Sequence, residues 1–465
     1  MFSLKMKAVQ CAGRVKRPAH PCLAGGFATA LALGAVLHPV PASAATTAAA
    51  TSWALAESRP ATGQSVDDFY AARSGQPLWL RAGDEQAASD LVAMIAGSRA
   101  DGLDPKNYPV KELQRALRAA WGGSPAAVDR ADRLISRVFV AYVRDLKQVP
   151  DLGVIYVDAQ LRPQATSPRA ILQGAADQPS LPRYVQTMGW MNPYYHQLRR
   201  SLDGSGHDAG QRASIALNLE RARALPGADS GRYVLVNAAQ QRLFMVEGGQ
   251  VVDTMRVVVG KPNQPTPTMA ALIRYTSLRP YWNVPPDLAA ERVAPYVLKQ
   301  GPRFLRASGY EVLSDWSSKP TVVDPRTIDW KAVAAGRKEI RVRQLPGPGN
   351  SMGSMKFMFP NAQGIYLHDT PSTELFAEAS RLFSGGCVRL EAAPRLAAWL
   401  HGGTAPQPAG PQAEQRVLLD RPVPVYLTYL TAVPSGNEVA FYEDIYGRDA
   451  SALAQLGGTR AVASR

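Results

Sequence analysis

The sequence predicts an α+β protein in which an N-terminal helical scaffold precedes a mainly β domain. Apolar side chains recur at helical spacing over residues 134–146, with arginine and lysine at the opposing positions. From Arg232 onward the period becomes that of strands, beginning with the apolar residues 233–236. The chain has 465 residues, of which 46% are hydrophobic and 19% charged, so it can form two or three folded domains.

The first 44 residues have the three parts of a secretory signal. Residues 1–17 carry five basic side chains and no acid, residues 23–37 are rich in Ala, Leu and Gly, and small residues precede the boundary at Ala44. We therefore expect residues 1–44 to be a signal peptide that is cleaved after Ala44, which predicts a periplasmic protein. A membrane anchor is the alternative, but a spanning helix needs about 20 apolar residues. No later stretch is apolar enough to cross a membrane.

Charge narrows the class of partner only slightly. Removal of the signal lowers the formal net charge from +14 to +9, because residues 1–44 carry five basic and no acidic side chains. A basic exported protein can meet cell wall or anionic lipid, although scattered basic residues also serve solubility. Nucleic acid is not an expected partner, since no compact basic stripe with interleaved aromatic residues is present.

Residues 45–230 are interpreted as the helical scaffold domain. Its Ala/Thr-rich start, to about Pro60, predicts a flexible lead-in. Helices are predicted over residues 84–98 and 214–225, and several prolines separate the helical segments. This region gathers no cluster of catalytic residue types, so a purely structural role is expected.

Residues 231–432 are predicted to form the second, mainly β domain. Residues 287–345 interrupt its β pattern and predict a capping insertion, with Asp287 at the start of a helix that runs to about Lys299. The sequence leaves open whether this insertion is a lid or a plain structural addition. Strand patterns are found at residues 233–236, 241–247, 250–259, 339–343, 355–359, 364–367 and 423–429.

Residues 433–465 are predicted to be a C-terminal extension. The segment from Phe441 to Tyr446 is rich in aromatic side chains. An exposed aromatic run favours aggregation, so we expect this extension to dock on the core.

Cys387 is the cysteine that remains once the signal, with Cys11 and Cys22, has been removed. A thiol performs acyl chemistry as the thiolate, so its pKa must be lowered or a base must lie nearby. His368 precedes Cys387 by 19 residues and ends a predicted strand, from which it can reach the thiol. A helix predicted over residues 394–400 would add a favourable dipole if it began soon after the cysteine.

Glycines and an arginine surround this thiol in Ser384-Gly385-Gly386-Cys387-Val388-Arg389. Backbone N–H groups at Gly385 and Gly386 can approach an oxyanion closely because no side chain intervenes. Arg389 offers a positive charge, either for a substrate carboxylate or for holding the loop. These residues indicate a cysteine acyltransferase, with a buried structural cysteine as the alternative.

Two nearby residues are not assigned to the site. His401 precedes two glycines and is typical of a histidine at a helix end. Asp369 adjoins His368, but adjacent side chains of an extended segment point to opposite faces, so no triad is inferred. One cysteine and scattered histidines lack the spacing of a metal site, and no cofactor is expected.

Several segments together resemble the L,D-transpeptidase (YkuD-type) catalytic domain, whose signature is a histidine followed by Ser-x-Gly-Cys-x-Arg. The likeness extends to the large periplasmic subgroup typified by the enzyme YcbB and covers most of the mature chain in order. The central blocks are residues 281–286, 356–361, 366–371 and 384–389, and weaker likeness is found at residues 69–79, 101–105, 218–221 and 444–449.

This resemblance implies roles for the residues of the site. Cys387 would be the nucleophile and His368 its general base, with the second imidazole nitrogen held by a backbone carbonyl. The N–H groups of Gly386 and Cys387 would form the oxyanion hole. Tyr366 and Arg389 would line and brace the site, and residues 287–345 would cap the substrate.

The resemblance also implies a reaction on peptidoglycan tetrapeptide stems. The cysteine would attack the bond between the L-centre of meso-diaminopimelate and D-Ala, release D-Ala, and pass the acyl group to a second stem as a 3→3 cross-link. Carbapenems acylate this cysteine in the family, and other cell-wall synthesis proteins are expected partners.

The sequence departs from the family in two ways. Gly385 stands where many members carry histidine, which leaves His368 as the base, and residues 181–225 leave no room for an inserted peptidoglycan-binding domain. The acceptor remains open among a stem amine, water, a free D-amino acid and a lipoprotein lysine. An inactive wall-binding scaffold is the alternative from another class.

Overall fold

The computed structural model describes residues 63–202, 206–228 and 230–463. The predicted signal peptide, residues 1–44, and the predicted lead-in, which ends at about Pro60, lie outside the described residues. Across the described ranges, none of the helices is long and apolar enough to span a bilayer.

The N-terminal region is helical, which confirms the predicted scaffold. The predicted helix at residues 84–98 ends earlier, at Ala96, because the chain leaves helical geometry at Gly97. The helices here are α1 Val66–Ala72, α2 Glu85–Ala96, α3 Val110–Ala120, α4 Pro125–Leu146, α5 Pro168–Ala176, α6 Leu181–Gln186, α7 Pro193–Leu202 and α8 Ala209–Ala222.

Side-chain caps decide where two of these helices begin. Ser124 Oγ accepts from the Ala127 N–H at 3.3 Å, and Pro125 follows it at the first helical position. The Asp208 carboxylate accepts from the Gln211 N–H at 2.8 Å, so α8 starts before the predicted residue 214.

Two buried carboxylates organise the scaffold. Asp132, on α4, accepts the backbone N–H groups of Leu78, Trp79 and Leu80, each at 2.8 Å. Asp101 lies in a 3₁₀ turn, Ser98–Asp101, and accepts from two tyrosine hydroxyls and the Arg199 guanidinium. Each carboxylate ties a loop to helices that are far away in sequence.

The second region is mainly β, as predicted. Its principal strands are β2 Arg232–Asn237, β3 Arg242–Glu247, β4 Gln250–Gly260, β5 Met269–Leu278, β9 Met355–Met358, β10 Leu367–His368, β11 Leu382–Ser384, β12 Val388–Leu390 and β13 Gln415–Thr428. The scaffold contributes β1, Ile155–Tyr156, which pairs in parallel with β5.

These strands form one sheet that closes on itself. The order is β1-β5-β13-β2-β3-β4-β12-β10-β9, β9 also pairs with β5, and β11 pairs with β4. One apolar cluster, including Val257, Leu367, Val388 and Leu427, is shared by the strands and the helix Ala393–Leu400. The other face, with Tyr233 and its neighbours, packs into the same cluster as the scaffold helices.

The predicted insertion has its own small sheet and core. Strands β6 Trp282–Val284, β7 Tyr310–Leu313 and β8 Arg341–Gln344 pair in the order β6-β8-β7. Its helical segments are Pro286–Leu288, a π-helical turn Ala289–Val293, Ala294–Gln300, Arg303–Ala307 and Trp330–Ala334. We call residues 282–344 the cap.

The start of the cap differs from the expectation. Its sheet begins at Trp282 rather than at residue 287, and β6 and β7 were not predicted. Asp287 does not cap the helix, because Pro285 is the N-cap residue and Pro286 already lies in the first turn. The π turn then interrupts the expected single helix to Lys299.

The C-terminal segment packs on the second region. A hairpin, β14 Ala432–Ser435 with β15 Glu438–Phe441, precedes a helix at Arg448–Ala463. Tyr446 stacks on Tyr429 with ring centroids 5.3 Å apart, and its hydroxyl donates to the Gly260 carbonyl at 2.8 Å. The aromatic cluster thus holds the loop that follows β4.

Candidate active site

Strand pairing places the predicted site residues on one face of the sheet. In the parallel pair β10–β12, Leu367 is opposite Val388 and His368 is opposite Arg389. Side chains alternate along a strand, so Cys387 and Arg389 share a face with Tyr366 and His368. Leu367 and Val388 point the other way and are fully buried in the core. The 19-residue separation in sequence therefore becomes a cross-strand neighbourhood.

Cys387 is a free, partly exposed thiol. It donates to the Gly364 carbonyl, with Sγ 3.6 Å from the oxygen. Burial raises the pKa of this thiol, while a backbone hydrogen bond from Tyr366 and the charge of Arg389 act in the opposite direction. The net direction is upward, so the resting cysteine is a neutral thiol rather than a preformed thiolate.

His368 is held in one tautomer by its neighbour's backbone. Its Nδ1 lies 2.5 Å from the Asp369 carbonyl oxygen, which can only accept. Nδ1 therefore carries the proton, and Nε2 keeps its lone pair. Burial, together with the positive charges of Arg389 and Lys356, lowers the pKa of His368 to about 3, although the Asp369 hydrogen bond acts in the opposite direction. The imidazole is neutral and can act as a base.

The Asp369 side chain accepts hydrogen bonds from Ser354, which lies in another loop. Its Oδ2 accepts from the Ser354 N–H at 2.8 Å and from the Ser354 hydroxyl at 2.6 Å. It thus orients its own segment and does not hydrogen-bond the imidazole. This agrees with the decision not to infer a triad from the sequence.

The loop before Cys387 is built around Ser384. The Gly386 N–H donates to Ser384 Oγ at 3.1 Å, and the Ser384 hydroxyl donates to the Cys387 carbonyl at 2.5 Å. The Gly386 N–H, expected to be an oxyanion donor, is therefore engaged by Ser384 in this structure. Gly386 itself has φ +110°, a conformation that residues with a side chain rarely adopt.

Gly385 faces a loop and the cap. A methyl group on its Cα would lie 3.4 Å from Gln264 Oε1 and 3.5 Å from Leu288 Cδ1. A histidine at this position would meet both side chains. The glycine therefore fits a cap that closes directly over the loop.

Thr266 braces this loop from the segment after β4. Its hydroxyl donates to the Gly386 carbonyl at 2.8 Å and accepts from the Gly260 N–H at 2.9 Å. Gln264 Oε1, nearby, is buried and has no hydrogen-bond partner among the described residues. Neither residue was predicted. The signal in the sequence is Gly260-Lys261-Pro262 followed by Pro265 and Pro267, a rigid turn directly after a strand.

The helix near the thiol differs from the expectation, whereas His401 agrees with it. The helix that was to supply a dipole begins at Ala393, after strand β12, so its N-terminus does not follow the thiol directly. The helix dipole therefore does not act directly on the thiol, contrary to the expectation from the sequence. His401 ends this helix and contacts Thr276 Oγ1 through Nε2 at 3.0 Å, which is a structural contact.

Arg389 and Tyr366 flank the thiol. Tyr366 is partly buried, and burial and the nearby Cys387 raise the pKa of its phenol. Arg389 Nε is buried without a hydrogen-bond partner in the described part of the chain. Lys356, across from His368 on β9, instead pairs with Glu414 at 2.7 Å. Arg389 is thus a positive charge that remains available to a ligand.

Metal-ligating side chains do not gather elsewhere. Within residues 63–202, 206–228 and 230–463, no three His, Cys, Asp or Glu residues lie close enough to hold a metal ion.

Comparisons with known proteins match both regions. Residues 231–425 match the family described as L,D-transpeptidase catalytic domain, and residues 64–202 match the family described as Scaffold domain. A Haemophilus influenzae protein named "Putative L,D-transpeptidase" is 28% identical over 392 residues, which cover 82% of this chain and 77% of that protein. The chain therefore contains an L,D-transpeptidase (YkuD-type) catalytic domain, which follows a region that matches the Scaffold domain family.

Proposed function

We propose that this protein is a periplasmic peptidoglycan L,D-transpeptidase that forms 3→3 cross-links through an acyl-enzyme on Cys387. The observation that carries the proposal is the β10–β12 register, which puts Cys387 and a neutral His368 on one sheet face. The Asp369 carbonyl leaves Nε2 as the proton acceptor. A periplasmic location rests on the signal-like residues 1–44.

Acylation starts from a neutral pair. His368 Nε2 takes the thiol proton while Sγ attacks the carbonyl carbon between the L-centre of meso-diaminopimelate and D-Ala. Because burial disfavours both ions, proton transfer occurs with the attack rather than before it. Rapid alkylation of the free thiol at neutral pH is therefore not a necessary property of the active enzyme.

The tetrahedral intermediate needs donors for its oxyanion. We assign the Cys387 N–H to this role, because the Gly386 N–H already donates to Ser384. The imidazolium then returns its proton to the departing amine, D-Ala leaves, and a thioester remains on Sγ. Charge and atoms balance, since the proton taken from the thiol leaves with D-Ala.

The second half-reaction transfers the acyl group to the side-chain amine of another stem's diaminopimelate. His368 accepts the amine proton, and the thiolate leaves and is reprotonated. Water, a free D-amino acid or a lipoprotein lysine would give other products from the same thioester. The cross-link is proposed because the family's reaction uses an amine acceptor on a second stem.

Product analysis separates these outcomes. The purified protein is incubated with disaccharide-tetrapeptide, and products are identified by mass spectrometry. The proposal predicts a 3→3 dimer and free D-Ala. Tripeptide without dimer would replace it with a carboxypeptidase, and the absence of all products would favour the inactive scaffold.

Matched variants test the roles proposed for Cys387 and His368. Cys387→Ala and His368→Asn should abolish dimer formation, because one removes the nucleophile and the other the base. His401→Asn is the control, since that histidine makes only a structural contact. Persistent dimer formation in Cys387→Ala would overturn the assignment.

A further inference from the structure

The cap rests directly on the thiol loop. Leu288, in the first helical segment of the cap, lies 3.5 Å from the position that a methyl group on Gly385 would occupy. Glu291, one turn later, forms an ion pair with Lys261 at 3.3 Å. The cap segment that contains both residues is therefore fixed over the sheet edge that carries the site.

Arg292 belongs to this same segment. It lies in the π-helical turn Ala289–Val293 and follows Leu288 by four residues, a spacing that places both side chains on neighbouring parts of one helical face. Arg292 is partly buried. The contact of Leu288 with the thiol loop and the Glu291–Lys261 ion pair place this segment over the site. In agreement with that placement, the charge of Arg292 contributes to lowering the pKa of Arg389 on the sheet.

Arg292 and Arg389 are two like charges, and neither forms an ion pair within the described residues. In the described part of the chain, no ion pair joins either guanidinium to a carboxylate, and Arg389 Nε is buried without a partner. Burial lowers the pKa of Arg389, and the charge of Arg292 lowers it further, whereas Cys387 and Glu374 act in the opposite direction. A bound anion would relieve both the repulsion and the missing hydrogen bonds.

We propose that Arg292 of the cap and Arg389 of the sheet form a carboxylate-binding subsite for the C-terminal carboxylate of the donor's D-Ala. This inference rests on the proposed function. Arg389 lies two residues beyond Cys387 on the same face, about 7 Å along the strand. The D-Ala carboxylate lies one residue beyond the attacked carbonyl, so a guanidinium reaching back from Arg389 can meet it.

The proposed subsite explains why the enzyme would prefer a tetrapeptide to a pentapeptide as acyl donor. In a tetrapeptide the fourth residue ends in a charged carboxylate, whereas in a pentapeptide the same carbonyl is part of a neutral amide. Two guanidinium groups favour the charged form, because charge-assisted hydrogen bonds are the stronger ones. Arg292 is thus assigned as a specificity-determining residue that selects tetrapeptide donors.

A first test uses anionic and neutral alkylating reagents, which does not require the proposed reaction. Iodoacetate and iodoacetamide carry the same reactive carbon and differ in the carboxylate. Arg292→Gln should lower the ratio of their Cys387 alkylation rates, iodoacetate over iodoacetamide, by about tenfold, while the iodoacetamide rate stays unchanged. An unchanged ratio would overturn the subsite, and an unchanged iodoacetamide rate shows that the thiol loop remains folded.

A second test compares a tetrapeptide donor with the same donor ending in a carboxamide. In wild type the carboxylate donor should acylate Cys387 faster, and Arg292→Gln should remove most of that preference while Arg292→Lys restores part of it. Arg306→Gln, an exposed arginine elsewhere on the cap, is the control for charge alone. Equal preference in wild type and Arg292→Gln would contradict the inference.

Together, the two tests distinguish a failure of the proposed function from a failure of the proposed subsite. If wild type does not react with either donor, the proposed function fails, yet the alkylation ratio still decides whether the subsite attracts an anion. If both donors react and the ratio is insensitive to Arg292, the reaction stands and the subsite does not.

Discussion

The neutral state of Cys387 and His368 is the main chemical property of the site. Many cysteine enzymes rest as a thiolate and an imidazolium, but burial here raises the thiol pKa and lowers the imidazole pKa. In the proposed mechanism, charge separation is therefore deferred until a substrate carbonyl accepts the electrons. A neutral thiol is also less open to oxidation in an oxidising compartment.

His368 should make the protein less stable in acid. Its folded pKa of about 3 lies below the ordinary value of 6.5, so between these values the unfolded state binds more protons and stability falls as pH decreases. The free energy of unfolding should be lower at pH 5 than at pH 7 by about 2 kcal/mol because of this one group. His368→Asn should lose less stability over this interval in urea unfolding. Identical pH dependence of both proteins would contradict the burial of a neutral imidazole.

The two glycines before the thiol should respond differently to substitution. Gly386→Ala places a side chain at φ +110° and 3.0 Å from Ile365 Cδ1, so the loop must shift. A displacement near 1 Å costs on the order of 100-fold in acylation rate. Gly385→Ala meets only contacts of 3.4 Å or more and should stay near wild type. Acylation rates by stopped-flow mass spectrometry compare them, and equal losses would contradict the strain argument.

Reasoning from single residues of the sequence was enough to propose candidates for the chemistry of the site. A lone cysteine, a histidine at a strand end and glycines form a local pattern, so Cys387 and His368 could be proposed without coordinates. Thr266 could not, because it reaches the site from a distant segment through a hydrogen bond to the Gly386 carbonyl that no local pattern encodes. The engagement of the Gly386 N–H by Ser384 likewise depends on the loop's three-dimensional path.

At the scale of elements, helix α4 is tied to the preceding loop by one buried carboxylate. Asp132→Ala would leave three backbone N–H groups without acceptors and should cost about 3 kcal/mol or more of the free energy of unfolding. Asp129→Ala, on the same helix, removes only a partly exposed ion pair with Arg133 and should cost less than about 1 kcal/mol. Urea denaturation measures both, and similar losses would show that Asp132 does not have this role.

Elements with strong periodicity or clear caps were predictable, and short elements were not. The strands β2, β3 and β4 follow from alternating apolar residues and a glycine turn. The cap strands β6 and β7 have three and four residues and lack such a pattern. The π turn at Ala289–Val293 also has no local signal, since its register is set by packing against the cap core.

At the scale of the whole molecule, the scaffold covers one face of the catalytic sheet. Scaffold side chains such as Phe139 share a continuous apolar cluster with Tyr233, Leu235 and Tyr426 from the strands. The scaffold even supplies strand β1 to the sheet. The boundary between helical and β sequence is therefore not a boundary between independent cores, which composition alone could not reveal.

Asn218 should couple these two regions. It donates to Thr431 Oγ1 at 2.9 Å and accepts from the Thr431 N–H at 3.0 Å, and Thr431 in turn donates to Asp449. Asn218→Ala leaves the Thr431 N–H without an acceptor, which should cost about 1–3 kcal/mol. Calorimetry should show one transition at a lower temperature, whereas the exposed Asn107→Ala should match wild type. Two separate transitions in wild type would contradict the shared core.

The most direct test of the central claim is the intact mass of the protein after rapid mixing with a tetrapeptide donor. The account predicts an adduct equal to the donor minus D-Ala, located on Cys387 by peptide mapping and absent from Cys387→Ala, with one D-Ala released for each adduct. D-Ala release that continues in Cys387→Ala, or an adduct on another residue, would contradict the acyl-enzyme.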